Sequence, residues 1–290
     1  MTIIFRLMGV VNVTPDSFSD GGLFLDAEAA ITHARELVAE GAEIVDVGGE
    51  STRPGAEPVS ADEETRRVLP VVEGIVAGNR TLTRPRVSID TSKASVARAC
   101  IDAGATLVND VTALRGDPEM AGLVAESGAE CCLMHMRGEP RTMQADPRYD
   151  DVVDDVRAFL EERMAYAVGE GVHEERIMLD PGFGFGKTLT HNLTLLARLD
   201  ELSALGRPLV VGTSRKSFIG RILADAAGQT EPVAASRRLP GTIATNVLAY
   251  ERGASVFRVH DVAPVRAALT VAAATLSERW DQGARRTPTS

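Results

Sequence analysis

Cysteine is scarce in this chain: Cys100, Cys131 and Cys132 are the only three in 290 residues. An odd number, two of them adjacent inside an apolar run, reads as a buried strand and not as a disulfide framework or a metal site, and it fits a reducing cytoplasm. Positive charge is also in deficit, with 31 Lys and Arg against 41 Asp and Glu and a net charge of −10. Such a surface repels phosphate backbones and acidic membranes, which argues against nucleic acid as a partner. No apolar run approaches the ~18 residues of a membrane span. Met1 leads into a strand-like segment instead of a charged region, an apolar stretch and a cleavage site. Aromatic residues are few, at 4%, and no linker or low-complexity stretch divides the chain.

What the chain does have is alternation. Short apolar runs at 7–13, 43–47, 86–89, 106–108, 130–134, 177–179, 208–211 and 255–259 alternate with amphipathic stretches. The latter occupy 27–40, 61–76, 92–103, 118–127, 150–169, 190–205, 215–224 with 241–252, and 262–279. Gly41, Gly104, Gly128, Gly171, Gly206 and Gly253 follow helical stretches, and Ser60 to Glu63 has the spacing of a capping box. Eight strand–helix–glycine units with near-continuous apolar strands predict an α/β protein, a single-domain (β/α)8 TIM barrel over 1–280, in preference to an open doubly wound sheet. The polar tail 281–290 is read as disordered.

The stretch 178–187, Met-Leu-Asp-Pro-Gly-Phe-Gly-Phe-Gly-Lys, is the one around which the chain is organised. Its glycines fail both nucleotide motifs: a phosphate-cradling loop needs glycine where Pro181 stands, and the dinucleotide fingerprint needs one where Lys187 stands. An isolated Asp-Pro-Gly is most simply a strand-to-helix turn. In a barrel, however, chemistry gathers at the C-terminal strand ends, and here every end is polar. They carry Asn12; Asp46, leading into Gly-Gly-Glu-Ser-Thr-Arg-Pro; Asp90; Asn109 with Asp110; His135 after Met134; Asp180; Ser214 and Lys216; and Arg258 with His260. Asn12, Asp110 and Ser214, each alone, also read as helix caps. Capping does not call for Lys or Arg at the same rim. His33, His173 and His191 have no functional reading, and no cluster has zinc or iron spacing.

Converging carboxylates constrain the ligand. Two of them about 4 Å apart repel by roughly 4 kcal/mol at an effective dielectric near 20, so Asp46, Asp90 and Asp180 need donors between them. A neutral heterocycle with amino and ring N–H groups supplies them. Arg53, Lys216, Arg258, His260 and Asn12 could meet an anion. The inferred small molecule therefore has two ends, a donor-rich ring inside and a phosphate-like group at the lip with Mg2+ on its oxygens.

The segments 10–22, 46–55, 88–91, 109–111, 134–144, 179–192, 212–220 and 258–262 resemble, in order and over nearly the whole chain, the motif set of the dihydropteroate synthases. The resemblance implies condensation of 6-hydroxymethyl-7,8-dihydropterin diphosphate with 4-aminobenzoate to give 7,8-dihydropteroate and diphosphate in folate biosynthesis, a transferase reaction and the target of sulfonamides. It also implies site residues. The pterin pocket would be Asp90, Asn109, Asp180 and Lys216, with Met134 and Phe185 as walls and Asp46 and Gly212 flanking. Diphosphate would meet Asn12, Thr52, Arg53, Arg258 and His260, with Mg2+ on Asn12. Aminobenzoate would lie against Phe185, Pro54 and Lys216, its carboxylate near Ser217. Phe18, Asp20, Thr52 and Arg53 would close over the site as mobile loops. Asp90, Asp180, Lys216, Arg258 and His260 would carry the chemistry. The family implies a homodimer, and the cysteine content a cytoplasmic location. Two other readings remain open on sequence: a methyltransferase moving a methyl group from a folate to a corrinoid partner, which needs no diphosphate clamp, and a non-catalytic pterin-binding paralogue.

Overall fold

The computed structural model describes residues 5–14, 23–51, 57–78, 85–139 and 142–284. Eight parallel strands form one sheet: β1 (Arg6–Asn12), β2 (Ile44–Gly48), β3 (Arg86–Asp90), β4 (Leu107–Asp110), β5 (Glu130–Met134), β6 (Ile177–Asp180), β7 (Val210–Val211) and β8 (Val256–Val259). Neighbours follow chain order from β1 to β6, and β1 pairs on its other edge with β8, which pairs with β7. A bridge between Leu179 and Leu209, with Leu179 N–H donating to Pro208 O at 3.0 Å, joins β6 to the β7 end and closes the barrel. β7 is shorter than its apolar run because Pro208 has no N–H to give the ladder.

The helices are α1 (Leu23–Glu40), α2 (Ala61–Ala77), α3 (Ala94–Asp102), α4 (Met120–Ser127), α5 (Val152–Gly169), α6 (Leu189–Ala197), α7 (Leu199–Ser203), α8 (Ser217–Ala226), α9 (Leu239–Glu251) and α10 (Val262–Ala284). All six glycines expected after helices sit at positive φ, from +66° to +109°, where a Cβ would be strained. The single helix expected over 190–205 is two. It breaks at Arg198, whose guanidinium is drawn to Asp151 at 2.7 Å and Glu201 at 2.6 Å. Only half of the Ser60 capping box forms: Ser60 Oγ accepts from Glu63 N–H, but the Glu63 carboxylate turns to Arg66 and Arg67. A complete box forms instead at Thr188, with the His191 ring in the place of the usual glutamate. The last helix runs through the start of the tail read as disordered, and 285–290 lies outside the described residues. No helix among the described residues is long and apolar enough to cross a membrane.

Both faces of the sheet are buried, which is why the strands read as continuous apolar runs. Outward side chains such as Leu7, Val45, Val47, Ile89, Val108, Leu133, Leu179 and Phe257 pack with the helices into the main core. Inward ones, Met8, Ile44, Leu107, Cys132, Met178, Val210 and Val256, form a separate apolar plug. The three cysteines are free and buried, as expected. Charge is not confined to the C-terminal mouth: at the N-terminal end, Arg86 on β3 pairs with Glu130 on β5.

Candidate active site

Strand periodicity lifts the polar groups to one end. Two residues beyond four members of the plug the inward position turns polar, Ile44 giving way to Asp46, Leu107 to Asn109, Met178 to Asp180 and Val256 to Arg258, while Met8, Cys132 and Val210 lead to Val10, Met134 and Gly212. Ser88 and Asp90 occupy the same course on β3. Register aligns Asn12 with Gly48, Gly48 with Asp90 and Asp90 with Asn109, so four strand ends meet at one level.

Asp46 is the floor of this pocket. Its Oδ1 accepts from Ser88 Oγ at 2.6 Å and its Oδ2 from Asn109 Nδ2 at 3.0 Å. Arg258 Nη1 lies 3.4 Å from that same Oδ2 and 3.4 Å from Asp90 Oδ2. The side chain of Asp46 is 2% exposed and that of Asp90 is 23% exposed, so Asp90 faces the mouth while Asp46 is committed beneath it. Burial, then the Asp46 carboxylate, holds the Asp90 carboxyl well above the ordinary range, against the pull of Arg258. Burial opposes the charge on Arg258, but Asp90, Asp46 and Asp180 outweigh it and keep the guanidinium protonated. A Cβ on Gly212 would stand 3.4 Å from Arg258 Nε, an ordinary contact, so Gly212 lies directly beside the guanidinium. Thus Arg258 reaches Asp46 and Asp90, deeper than the lip at which an anion clamp was expected.

The 178–187 stretch forms the adjoining wall. Asp180 is 2% exposed, and its Oδ1 accepts from Gly182 N–H at 2.7 Å. Burial raises its pKa, opposed by Arg258, the Gly182 N–H, Lys216 and Lys187. Gly182 has φ +68°, and a Cβ there would lie 1.9 Å from the His135 carbonyl oxygen. The loop carbonyls are capped in turn. Lys187 Nζ donates to Gly182 O at 3.0 Å and Phe185 O at 3.1 Å, and Tyr149 Oη donates to Gly186 O at 2.7 Å. Asn192 accepts from Gly184 N–H at 2.7 Å. Phe185 packs with Met134, Val111, Met136 and Met143. Lys216 Nζ lies 4.0 Å from the Phe185 ring centre, a cation–π contact that spans the mouth.

His135 does not join the rim. It lies outside the pocket under the loop, 2.9 Å from Lys187 Nζ and edge-on to Phe159, because the residue after inward Met134 points outward. Burial and then the Lys187 ammonium push its pKa down to about 2, and burial lowers Lys187 to about 7. Asp110 also points outward. It is a turn former, accepting from Thr112 N–H at 2.8 Å and Leu114 N–H at 2.8 Å. Ser214 is not a helix cap: Lys216 holds the N-cap position of α8, and the Ser214 hydroxyl meets His260. Ser217 is the exposed first residue of α8. Burial, then Arg215, lowers the His260 pKa to about 4. Thr52, Arg53, Pro54, Phe18 and Asp20 lie outside the described residues. The root of the Thr52 segment is nonetheless anchored, since the Lys93 ammonium pairs with Glu50 and with buried Glu64. Sequence reading passed over Ser88, Lys93, Val111 and Lys187. Ser88 could have been found, because it sits two residues before Asp90 and therefore on the same inward course.

A model of the pterin binding enzyme family matches residues 8–260. The Escherichia coli K12 dihydropteroate synthase is 46% identical over 274 residues, covering 94% of this chain and 93% of that one. The chain belongs to the dihydropteroate synthase family. Among solved structures, the Yersinia pestis dihydropteroate synthase in complex with a sulfonamide drug matches with a TM-score of 0.85 at 43% identity, covering 94% of this chain and 95% of that one. The Xanthomonas albilineans dihydropteroate synthase with 4-aminobenzoic acid matches with a TM-score of 0.84 at 45% identity, covering 98% of this chain and 94% of that one. The barrel inferred from alternation is the fold of these relatives, and this chain is accordingly a transferase of folate biosynthesis.

Proposed function

We propose that this mouth joins 6-hydroxymethyl-7,8-dihydropterin diphosphate to 4-aminobenzoate, releasing diphosphate, and that Asp90, Asn109, Asp180 and Lys216 receive the pterin. The observation that carries the reading is the sharing of Arg258 Nη1 between Asp46 and Asp90, 3.4 Å from each. It leaves a mouth-facing carboxylate, held protonation-prone, above a carboxylate whose oxygens are already satisfied. A ring offering parallel amino and ring N–H donors is the partner that would draw Asp90 into its charged form. Met134 and Phe185 supply apolar faces for the ring, and Gly212 flanks it.

Aniline nitrogen is already a competent nucleophile, so departure of diphosphate is the harder part. Asp90 and Asp180 stabilise the cationic pterin, and Asn12, His260, Thr52 and Arg53 meet the leaving group, with Arg258 turned toward it from its place between Asp46 and Asp90. The donor set tests the implied metal. Among the described residues no group of three or more His, Cys, Asp and Glu could hold an ion, and Asn12 offers a single amide oxygen at the mouth. That fits Mg2+ carried mainly by phosphate oxygens and water, and not a protein-caged ion. When bound, Mg2+ would neutralise phosphate charge. Aminobenzoate would lie against Phe185, Pro54 and Lys216, its carboxylate near Ser217, where the free N–H groups that open α8 favour an anion. Phe18, Asp20, Thr52 and Arg53 would close over the bound substrates. A cytoplasmic homodimer is part of the proposal. An apolar groove on the outer face of α9 and α10, lined by Val247, Val271, Ala272 and Leu276, supports the dimer, with Val271 68% exposed.

The test is diphosphate release by the purified protein with pterin diphosphate, 4-aminobenzoate and Mg2+, each omitted in turn. Release that requires both organic substrates, matched by dihydropteroate, is expected. Pterin binding without turnover would refute catalysis and leave a non-catalytic pterin-binding paralogue.

A further inference from the structure

The loops after β7 and β8 are joined by two successive rungs. Ser214 meets His260, and Arg215 meets Asp261 through a two-pronged ion pair, Nε to Oδ2 at 3.0 Å and Nη2 to Oδ1 at 2.6 Å. Arg215 holds φ +59°, a left-handed value costly for a side chain of this size, and its backbone is pinned on both sides. Its N–H donates to Thr242 Oγ1 at 3.1 Å, and its carbonyl accepts from Arg238 Nη1 at 2.8 Å. The strap therefore stands on α9 and fixes where Ser214 points.

The Ser214 hydroxyl makes two contacts with one residue. Its Oγ accepts from the His260 backbone N–H at 3.2 Å and lies 3.0 Å from His260 Nδ1. A backbone N–H can only donate, so that contact uses an oxygen lone pair and leaves the hydroxyl proton to be placed. The residue is 5% exposed, and among the described residues Nδ1 is the acceptor that its hydroxyl meets. A hydroxyl that donates to Nδ1 requires an unprotonated Nδ1, and a neutral imidazole then carries its proton on Nε2.

We propose that Ser214 is a positioning residue that fixes His260 as the neutral Nε2–H tautomer, so that the ring meets the leaving diphosphate as a directed, uncharged hydrogen-bond donor. The inference rests on the reading that His260 faces diphosphate. The groups around His260 agree with a neutral ring: burial is the largest effect, Arg215, Arg258 and Lys216 also disfavour its charging, and Asp261 favours it. Cationic charge at this end then comes from Arg258 and Lys216, and His260 supplies direction. With Nδ1 committed to Ser214, Nε2 is the one ring nitrogen left for a ligand, and the opposite tautomer would turn a lone pair toward the anion.

The tautomer can be read directly by 15N NMR of full-length, histidine-labelled protein at neutral pH without ligand, the His260 signals being assigned with His260→Gln among the five histidines. Wild-type His260 is expected to show a protonated Nε2 and a bare Nδ1. Ser214→Ala should mix in the Nδ1–H form and weaken Mg2+–diphosphate binding about tenfold, the scale of one lost hydrogen bond. Ser214→Thr, which keeps the hydroxyl, should restore both. A wild-type Nδ1–H ring, or an unchanged tautomer in Ser214→Ala, would overturn the inference, and the first needs no variant to fold. The two readings fail separately. Nε2–H His260 in a protein whose diphosphate affinity is unmoved by His260→Gln would overturn diphosphate recognition, and with it the role of the tautomer. Nδ1–H His260 in a protein that turns over would overturn the tautomer alone.

Discussion

Replacing Asp90 by asparagine should move stability and activity in opposite directions. In the folded protein the Asp90 and Asp46 carboxylates both lie 3.4 Å from one nitrogen of Arg258, so their Oδ2 atoms are no more than about twice that far apart. At roughly 6 Å and an effective dielectric near 20, two unit charges repel by about 3 kcal/mol. Asp90→Asn removes that repulsion and the desolvation of one charge, and it gives up an attraction to Arg258 that Asp46 still provides. The sign with pH follows from the raised carboxyl. As pH rises above about 4 the unfolded chain ionises Asp90 while the folded protein resists, so the wild type loses stability until the folded carboxyl also titrates. Asparagine has no such loss. Thermal melts between pH 4 and 8 should therefore show the variant gaining on the wild type as pH increases. Turnover should fall by on the order of 100 to 1000, the usual consequence of removing one electrostatic contact from a transition state. A variant that melts lower across the whole range, or one that keeps its turnover, would refute this account of Asp90.

Lys187→Met should strip the donor from Gly182 O and Phe185 O, lowering the melting temperature and weakening pterin binding. Because burial depresses the Lys187 pKa to about 7, the wild type should gain stability on its account between about pH 7 and 10, where the unfolded lysine titrates; melts of the variant should lack that rise. Gly182→Ala forces a Cβ to within 1.9 Å of the His135 carbonyl at a positive φ; it should cost more than about 3 kcal/mol and be seen as an insoluble or low-melting protein. Removing Mg2+ with a chelator should abolish turnover and leave the melting temperature unchanged, since the described residues form no cage whose folding needs an ion.

The barrel was legible because two rules reinforce each other: strands buried on both faces read as unbroken apolar runs, and six of the helical stretches are followed by a glycine that the structure holds at positive φ. Inward placement of Asp46, Asn109, Asp180 and Arg258 follows from the same period of two. What remained hidden was how they pair. Sequence reading left three carboxylates in need of donors from a ligand, whereas Asp46 takes them from Ser88, Asn109 and Arg258. That distinction depends on register between strands far apart in sequence, as the separation of 212 residues between Asp46 and Arg258 illustrates. His135 misled for a local reason: a polar residue at a strand end looks alike whether it points in or out, and one position decides. Lys187 was dismissed with a failed nucleotide motif, yet a buried ammonium among capped carbonyls is what keeps a glycine-rich loop in one shape.

The proposed site is two-ended, with carboxylates for the pterin and cations together with the neutral His260 donor for the diphosphate. Its most direct test is calorimetric binding of each half-ligand, 6-hydroxymethylpterin and Mg2+–diphosphate, to wild type, Asp90→Asn and His260→Ala. Asp90→Asn is expected to lose the pterin and keep diphosphate, and His260→Ala to do the reverse. Equal loss of both half-ligands in both variants would contradict the account.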